Sequence, residues 1–273
     1  MKVFKKFLFI AAFLLIITAF SSAGWKIQQV SYIEGEEEKT TETFLISQGK
    51  IKFLSEDYVQ IIDSEKQLIF FLNPEKELYY GGTIDEFKKE WQEYLNELKK
   101  EMEEYKAQFE KYLREQKTAT SKKIQEKPQM KPKVDIKSTN EMASIAGFRT
   151  LKFQVFEDGN LKEEVWIAPD TGIEKEFSMQ KFFELIVKVF SSIAKTFTTE
   201  EIPLYDETDE YLNLLSKGFP FRTITYYDTS KQIEEITKAE KLNIPDSEFL
   251  PPPGYKKVTL KEAIKLESED IEF

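Results

Sequence analysis

The side chains that most often carry catalysis and metal binding are missing from this chain. Its 273 residues include no histidine and no cysteine, which excludes imidazole bases, serine–histidine triads, thiol nucleophiles, disulfides and thiolate metal sites. Carboxylates remain as acid–base groups, and they form dense runs at Glu36–Glu38 and Asp206–Glu207. Acidic runs that flank strands or helices are typical of solvated surface. We therefore predict no catalytic residue, no metal and no cofactor.

Carboxylates alone leave one class of enzyme open. Glycosidases need two carboxyl groups that face each other across a cleft, and a sequence does not show which carboxyl groups meet. No motif favours this alternative: Gly81–Gly82 lacks the spacing of a phosphate-binding loop, and the chain has no dinucleotide-binding pattern. The interpretation that agrees best with the residues is a protein that is not an enzyme.

Large apolar side chains are the chemistry that this chain has in abundance. It contains 23 Phe, 12 Tyr and 3 Trp residues, enough to line a cavity for a small apolar ligand beneath a sheet. The alternative is that these aromatic side chains only fill the core. The candidate lining residues come from a predicted helix and two predicted strands; they are Phe182, Phe183, Ile186, Phe190, Trp166 and Phe153.

Two groups of short strands must position these residues. Apolar and β-branched segments with short connections predict antiparallel strands in both groups. The first group comprises Trp25–Glu34, Thr40–Ser47, Lys50–Leu54, Tyr58–Asp63, Gln67–Leu72 and Leu78–Tyr80, and the second comprises Val134–Ser138, Gly147–Phe156, Leu161–Ala168, Phe219–Asp228 and Lys231–Glu240. No βαβ alternation occurs, so the fold class is α+β with an antiparallel sheet.

Helical periods interrupt and follow the strands. Residues 178–197 carry a broad apolar face, and shorter helices are predicted at 206–217 and 259–266. The longest predicted helix, 83–116, opens with a capping box of Thr83 and Glu86 and carries apolar residues at intervals of three and four. That stripe suits either a coiled-coil dimer or packing along a sheet, and its aromatic content favours the sheet. Residues 117–133, rich in lysine and with two prolines, are predicted to be a linker.

The amino terminus reads as a cleavable secretory signal peptide spanning residues 1–23. Three lysines precede an apolar run of about 14 residues, shorter than the roughly 20 that span a bilayer, and Ser21–Ala23 has the small residues of a cleavage site. Cleavage would leave a net charge of about −13, which argues against a nucleic-acid partner. We expect an exported, periplasmic protein that is not an integral membrane protein after cleavage.

Three segments together resemble a known family. They are QGKIKFLSEDYVQIIDSEKQLIFFLNPEKELYY, IAGFRTLKFQVFEDGNLKEEVWIAPDTGI and KLNIPDSEFLPPPGYKKV. In this order they resemble an uncharacterised family of exported bacterial proteins similar to the LolA/LolB-like periplasmic lipoprotein carriers. The resemblance implies an unclosed, curved antiparallel half-barrel whose concave face is covered by helices and holds acyl chains.

The resemblance defines the expected domain organisation and function. One LolA-like domain spans residues 24–266, with the helix 83–116 and the linker 117–133 as an insertion, and residues 267–273 form an acidic tail. The expected function is that of a carrier or sensor in the cell envelope that binds a lipid, acyl chain or other apolar ligand. The alternative is an assembly factor that binds an envelope protein through the helix 83–116.

Overall fold

A computed structural model describes residues 21–55, 58–115, 133–187 and 205–268. Twelve strands form one sheet: β1 Ser21–Ile33, β2 Thr40–Ser47, β3 Lys50–Leu54, β4 Val59–Asp63, β5 Leu68–Asn73, β6 Leu78–Thr83, β7 Val134–Ile145, β8 Phe148–Glu157, β9 Asn160–Ala168, β10 Phe219–Tyr226, β11 Lys231–Pro245 and β12 Lys256–Lys257. The α-helices are α1 Ile84–Glu115, α2 Ile173–Glu176, α3 at 179–187, α4 Asp209–Leu215 and α5 Leu260–Ser268. Tyr205–Glu207 and Asp246–Phe249 are 3₁₀ turns.

The sheet consists of two antiparallel meanders joined by one pair of strands. Its order is β12-β6-β5-β4-β3-β2-β1-β11-β10-β9-β8-β7, so β1 to β6 follow one another on one side and β7 to β11 on the other. The joint is the antiparallel pair β1–β11, which runs from Ser21 opposite Pro245 to Ile33 opposite Gln232. Only the two-residue strand β12 is paired in parallel, with β6, among the strands of the described chain.

The sheet curls strongly about its concave face. The rings of Trp25 on β1 and Phe148 on β8 are 6.0 Å apart, although three strands lie between them. In a flat sheet, four strand intervals would separate them by about 19 Å. Register shifts in β1–β11, β9–β10 and β8–β9 accompany this curvature, as bulges do in strongly bent sheets. Within the described residues, β7 and β12 do not pair, so the sheet stays open.

Helices cover the concave face and build its core. The main buried cluster joins strand residues such as Ile27, Ile46 and Phe221 to Phe87 of α1 and Leu185 of α3. A second cluster lies between α4 and strands β8 and β9, where Leu214 and Tyr211 pack on Val165 and Val155. A third lies on the other side of the sheet, where Phe249 covers Ile61.

Helix α1 begins as its capping box predicts. The Thr83 N–H donates to Glu86 Oε2 at 2.7 Å, and the Glu86 N–H donates to Thr83 Oγ1 at 3.1 Å; these bonds lower the pKa of Glu86. The first turns pack on the sheet through Ile84 and Phe87. Farther along, Met102 is 59% exposed and Tyr105 is 71% exposed. The expected packing along the sheet is therefore correct only for the first part of the helix, and wrong for these two residues.

Short turns join several strands as their residues predict. Asp158 and Gly159 form the two-residue connection between β8 and β9, and both have positive φ angles, of 49° and 84°. This left-handed backbone is the geometry of the tight hairpin that Asp-Gly favours. Strand β7 proves longer than predicted and ends at Ile145 rather than Ser138, because it continues past an irregular register between Ser138 and Met142.

The α+β class and the large open sheet, rich in antiparallel pairs, are thus confirmed. Most of the predicted signal peptide and linker, and the acidic tail from residue 269, lie outside the described residues. Ser21–Ala23, the end of that signal peptide, form the first three residues of β1 opposite Pro245, Ile244 and Asn243. No helix in the described ranges is long and apolar enough to cross a membrane.

Candidate ligand-binding site

A cavity of about 280 Å³ lies between the concave face of the sheet and helices α3 and α4. Its walls come from β1, β2, β3, β9, β10 and β11, from the two helices and from the 3₁₀ turn Tyr205–Glu207. The sheet thus supplies a curved floor and the helices supply a lid. The lining has two chemically different parts, one aromatic and one acidic.

One wall is apolar and mostly aromatic. Phe182 and Phe183 on α3 face it with Met179, one turn earlier on the same helix. The Phe182 ring lies 5.9 Å from the ring of Phe53 on β3, which in turn packs edge-on against Phe44 at 5.2 Å. The other apolar lining residues are Ile51, Leu215, Phe219, Pro220 and Phe221. This wall suits an apolar or aromatic group of a ligand.

A second part of the lining, the acidic wall, carries carboxyl groups. Glu163 on β9 is only 6% exposed. It accepts hydrogen bonds from the hydroxyls of Tyr205 at 2.7 Å and Tyr211 at 2.9 Å, and the hydroxyl of Thr225 lies at 3.4 Å. Burial raises the pKa of Glu163, and the tyrosine hydrogen bonds oppose that rise.

Two further acidic residues line the same cavity. Burial raises the pKa of Asp206 in the 3₁₀ turn, and its Oδ1 atom is buried without a hydrogen-bond partner within the described part of the chain. Burial also raises the pKa of Glu234 on β11, and the nearby charge of Glu42 adds to that rise. Asp206 and Glu234 each contribute to the rise in the pKa of Glu163. The cavity therefore has both aromatic and acidic residues in its lining.

Arg222 is the basic residue among those lining the cavity. Its guanidinium group pairs with Glu235, the residue opposite it on β11, through both Nε and Nη2. The guanidinium carbon also lies 5.3 Å from the centre of the Trp166 ring. This positive charge is therefore already matched by a carboxylate that is not among the cavity residues.

The structure brings together two of the six predicted lining residues. Phe182 and Phe183 line the cavity, whereas Ile186 packs against the main core cluster and Phe190 lies outside the described residues. Phe153 belongs to the core cluster under α4 and is not among the cavity residues. Trp166 is also not among the cavity residues. It alternates with Val165 along β9, and Lys152 and Arg222 lie against its ring.

The acidic wall was missed, although the sequence holds one sign of it. Glu163 and Glu164 are consecutive within a predicted strand, so one of them must point to the buried side of the sheet. Glu164 lies beside Lys152, at 2.9 Å from its Nζ, and Glu163 lies beneath α4. The expectation that Asp206 lies on the solvated surface was also wrong, since its Oδ1 atom is buried. The turn that contains Asp206 packs against β9, where the Tyr205 hydroxyl donates to Glu163.

Comparisons with known proteins identify no family for this chain. No family model matches it, and no curated protein does. Among solved structures, it is similar to PNGF-II in space group C2 at 10% identity, with a TM-score of 0.39 over 90% of this chain and 32% of that one. The P21 form gives 9% identity and a TM-score of 0.38, over 90% and 33%. The chain spans about a third of the length of PNGF-II, and similarity at this level identifies neither fold nor function.

Proposed function

We propose that this protein is a carrier or sensor, without enzymatic activity, that binds a small apolar ligand in the cavity beneath its curved sheet. The observation that carries this proposal is the aromatic wall formed by Phe44 and Phe53 of the sheet and by Phe182 and Phe183 of α3. These side chains leave open space where a packed core would be filled. An apolar cavity of this kind is a common ligand site.

The volume of the cavity limits the size of the ligand that it can hold. At about 280 Å³ it lies at the lower end of the roughly 300–1,000 Å³ range of ligand pockets. A single chain or a small aromatic molecule suits this volume better than a complete diacyl lipid. We therefore propose a ligand that places one apolar chain or ring against Phe182.

Export to the periplasm and a LolA/LolB-like half-barrel belong to the same proposal. The apolar run and small residues of positions 1–23 favour export, and the open, curled sheet with helices on its concave face agrees with a half-barrel. In such an arrangement, a ligand would enter between the sheet and α3. The cargo of lipoprotein carriers is not needed for the proposal, which requires only an apolar ligand.

Filling the cavity tests the proposal. Thr223 lines the cavity, whereas Thr237, also a strand threonine, is exposed on β11. We expect Thr223→Phe to abolish the fluorescence gain of the neutral probe N-phenyl-1-naphthylamine, and Thr237→Phe to retain it. Native mass spectrometry of gently purified protein should also show a bound apolar molecule. Equal probe binding by both variants, or none by the unsubstituted protein, would contradict the proposal.

The exposed part of α1 supports a second candidate function, self-association. Met102 and Tyr105 are exposed apolar residues that continue the near-heptad stripe of the first turns, and such a stripe fits a second copy of the same helix. We expect a dimer in sedimentation velocity that Met102→Glu disrupts. Asn96→Glu adds the same charge at another exposed position of α1 and should leave the dimer intact. A monomer at all concentrations would exclude this function.

A further inference from the structure

We infer that the ligand of the cavity is an amphiphilic cation, with its apolar part against Phe182 and its ammonium group at the wall formed by Glu163, Asp206 and Glu234. This inference rests on the proposed function and adds the chemical class of the ligand. A cationic ligand would distinguish this protein from carriers of fatty acids or of other anionic lipids.

Within the described part of the chain, no lysine or arginine pairs with the carboxyl groups of the acidic wall. Among the described residues, hydroxyl groups are the hydrogen-bond partners of Glu163, and Glu234 has a long contact of 3.4 Å with the Gln232 amide. Asp206 is among the cavity residues, and its Oδ1 atom is buried with no partner among the described residues. A buried carboxylate oxygen is unfavourable when nothing donates to it. An ammonium group supplies up to three donors and the missing charge.

Arg222, the basic residue among the described cavity residues, is not available to bind an anionic ligand. Arg222 is already paired with Glu235 and stacked near Trp166. A carboxylate or phosphate in the cavity would lie near Glu163, Asp206 and Glu234 and would have to compete with Glu235 for the guanidinium. Like charges brought together in a poorly solvated site repel strongly. The charge distribution thus opposes anions.

The aromatic wall favours the same class. The faces of aromatic rings attract cations within about 6 Å of their centres, and Phe44, Phe53, Phe182, Phe183, Phe219 and Phe221 surround the cavity. An alkyl or aryl group can therefore fill the apolar end while the ammonium group remains close to both ring faces and carboxylates. A cavity lined by both aromatic rings and carboxyl groups is suited to amines.

Three probes of equal chain length test the inference on the unsubstituted protein. We expect isothermal titration calorimetry at pH 7 and low salt to give a Kd for octylammonium about tenfold lower than that for 1-octanol. Octanoate should bind more weakly than 1-octanol. If octanoate binds as tightly as octylammonium, the inferred class is wrong while the apolar-ligand proposal stands. If none of the three binds, the proposed function itself fails.

Substitutions in the acidic wall test whether its carboxyl groups cause the preference for octylammonium over 1-octanol. Asp206→Asn and Glu234→Gln should each raise the Kd for octylammonium severalfold and leave the Kd for 1-octanol unchanged. Glu240→Gln, at an exposed position of β11 that pairs with Lys238, is the matched control and should change neither. A loss of affinity for octylammonium and octanol alike would indicate a distorted cavity and would overturn the assignment to these carboxyl groups.

Discussion

Among single residues, Glu163 is one of three buried acidic side chains in the described structure, with Asp63 and Glu164. It is a carboxyl group on the buried side of a strand, held by two tyrosine hydroxyls and close to Asp206 and Glu234. Burial and the neighbouring carboxylates raise the pKa of Glu163, and the two tyrosine hydrogen bonds oppose that rise. The residue therefore connects the stability of the fold to pH.

The stability of the protein is expected to fall as pH rises above 5. Because folding raises the pKa of Glu163, its contribution is complete below its unfolded pKa and is lost as pH rises through the folded value. Each unit of difference corresponds to about 1.4 kcal/mol. The same direction holds for Asp206 and Glu234. Melting temperatures between pH 5 and 8 measure this slope.

Glu163→Gln isolates the contribution of this residue. The amide cannot ionise and can still accept a hydrogen bond from Tyr205 or Tyr211, so the decline in melting temperature between pH 5 and 8 should become shallower. Glu240→Gln, at an exposed position, should retain the original slope. An unchanged slope in Glu163→Gln would show that the carboxyl group keeps its ordinary pKa in the folded protein.

At the scale of elements, α1 combines two different environments. Its first turns are buried among aromatic rings: Phe87 is 3% exposed, 5.4 Å from Phe71 and 6.0 Å from Tyr80. Contacts with α5 extend this anchored part, since Lys261 pairs with Glu97. From Met102 onward the described side chains are exposed. The helix is thus anchored at its amino-terminal end.

We therefore predict that truncating a side chain lowers the free energy of unfolding more in the first turns of α1 than in its exposed part. Phe87→Ala should lower the free energy of unfolding by about 3–5 kcal/mol, because it removes a large side chain from a packed core. Tyr105→Ala should change it by less than about 0.5 kcal/mol, as expected for an exposed position. Urea denaturation followed by circular dichroism measures both. Comparable losses would mean that the outer half of α1 is packed in solution.

At the scale of the whole molecule, the β1–β11 pair joins the two meanders into one sheet. Gly24 lies near one end of this joint, opposite Leu242. A Cβ atom on Gly24 would lie 2.5 Å from the carbonyl oxygen of Ile46 and 2.8 Å from Cδ1 of Ile244. Both distances are too short for real contacts, so the close approach at this point depends on glycine.

Gly24→Ala should therefore loosen the joint. We expect a loss of about 1–3 kcal/mol of stability, the usual cost of overpacking, and faster amide hydrogen exchange in both β1 and β11. Lys26→Ala, two residues farther along β1, adds no atoms and serves as the control. Exchange that accelerates in β1 alone would show that the two meanders do not depend on this contact.

The sequence by itself determined the elements of this protein. Alternation and turn residues predicted most strands, including β2 and β3 with their observed bounds, and the capping boxes placed the starts of α1 and α5. These features depend on neighbours within a few residues, so local patterns reveal them. The α+β class followed from the order of the elements alone.

The tertiary structure decided which residues meet. Of the six candidate residues for the cavity, five lie in the described part of the chain and two of these line it, which depends on how the sheet and α3 pack together. The acidic wall combines Glu163, Asp206 and Glu234, which lie on three elements brought together only by strand pairing and by the packing of α4. Such contacts depend on the whole fold, and no local pattern contains them.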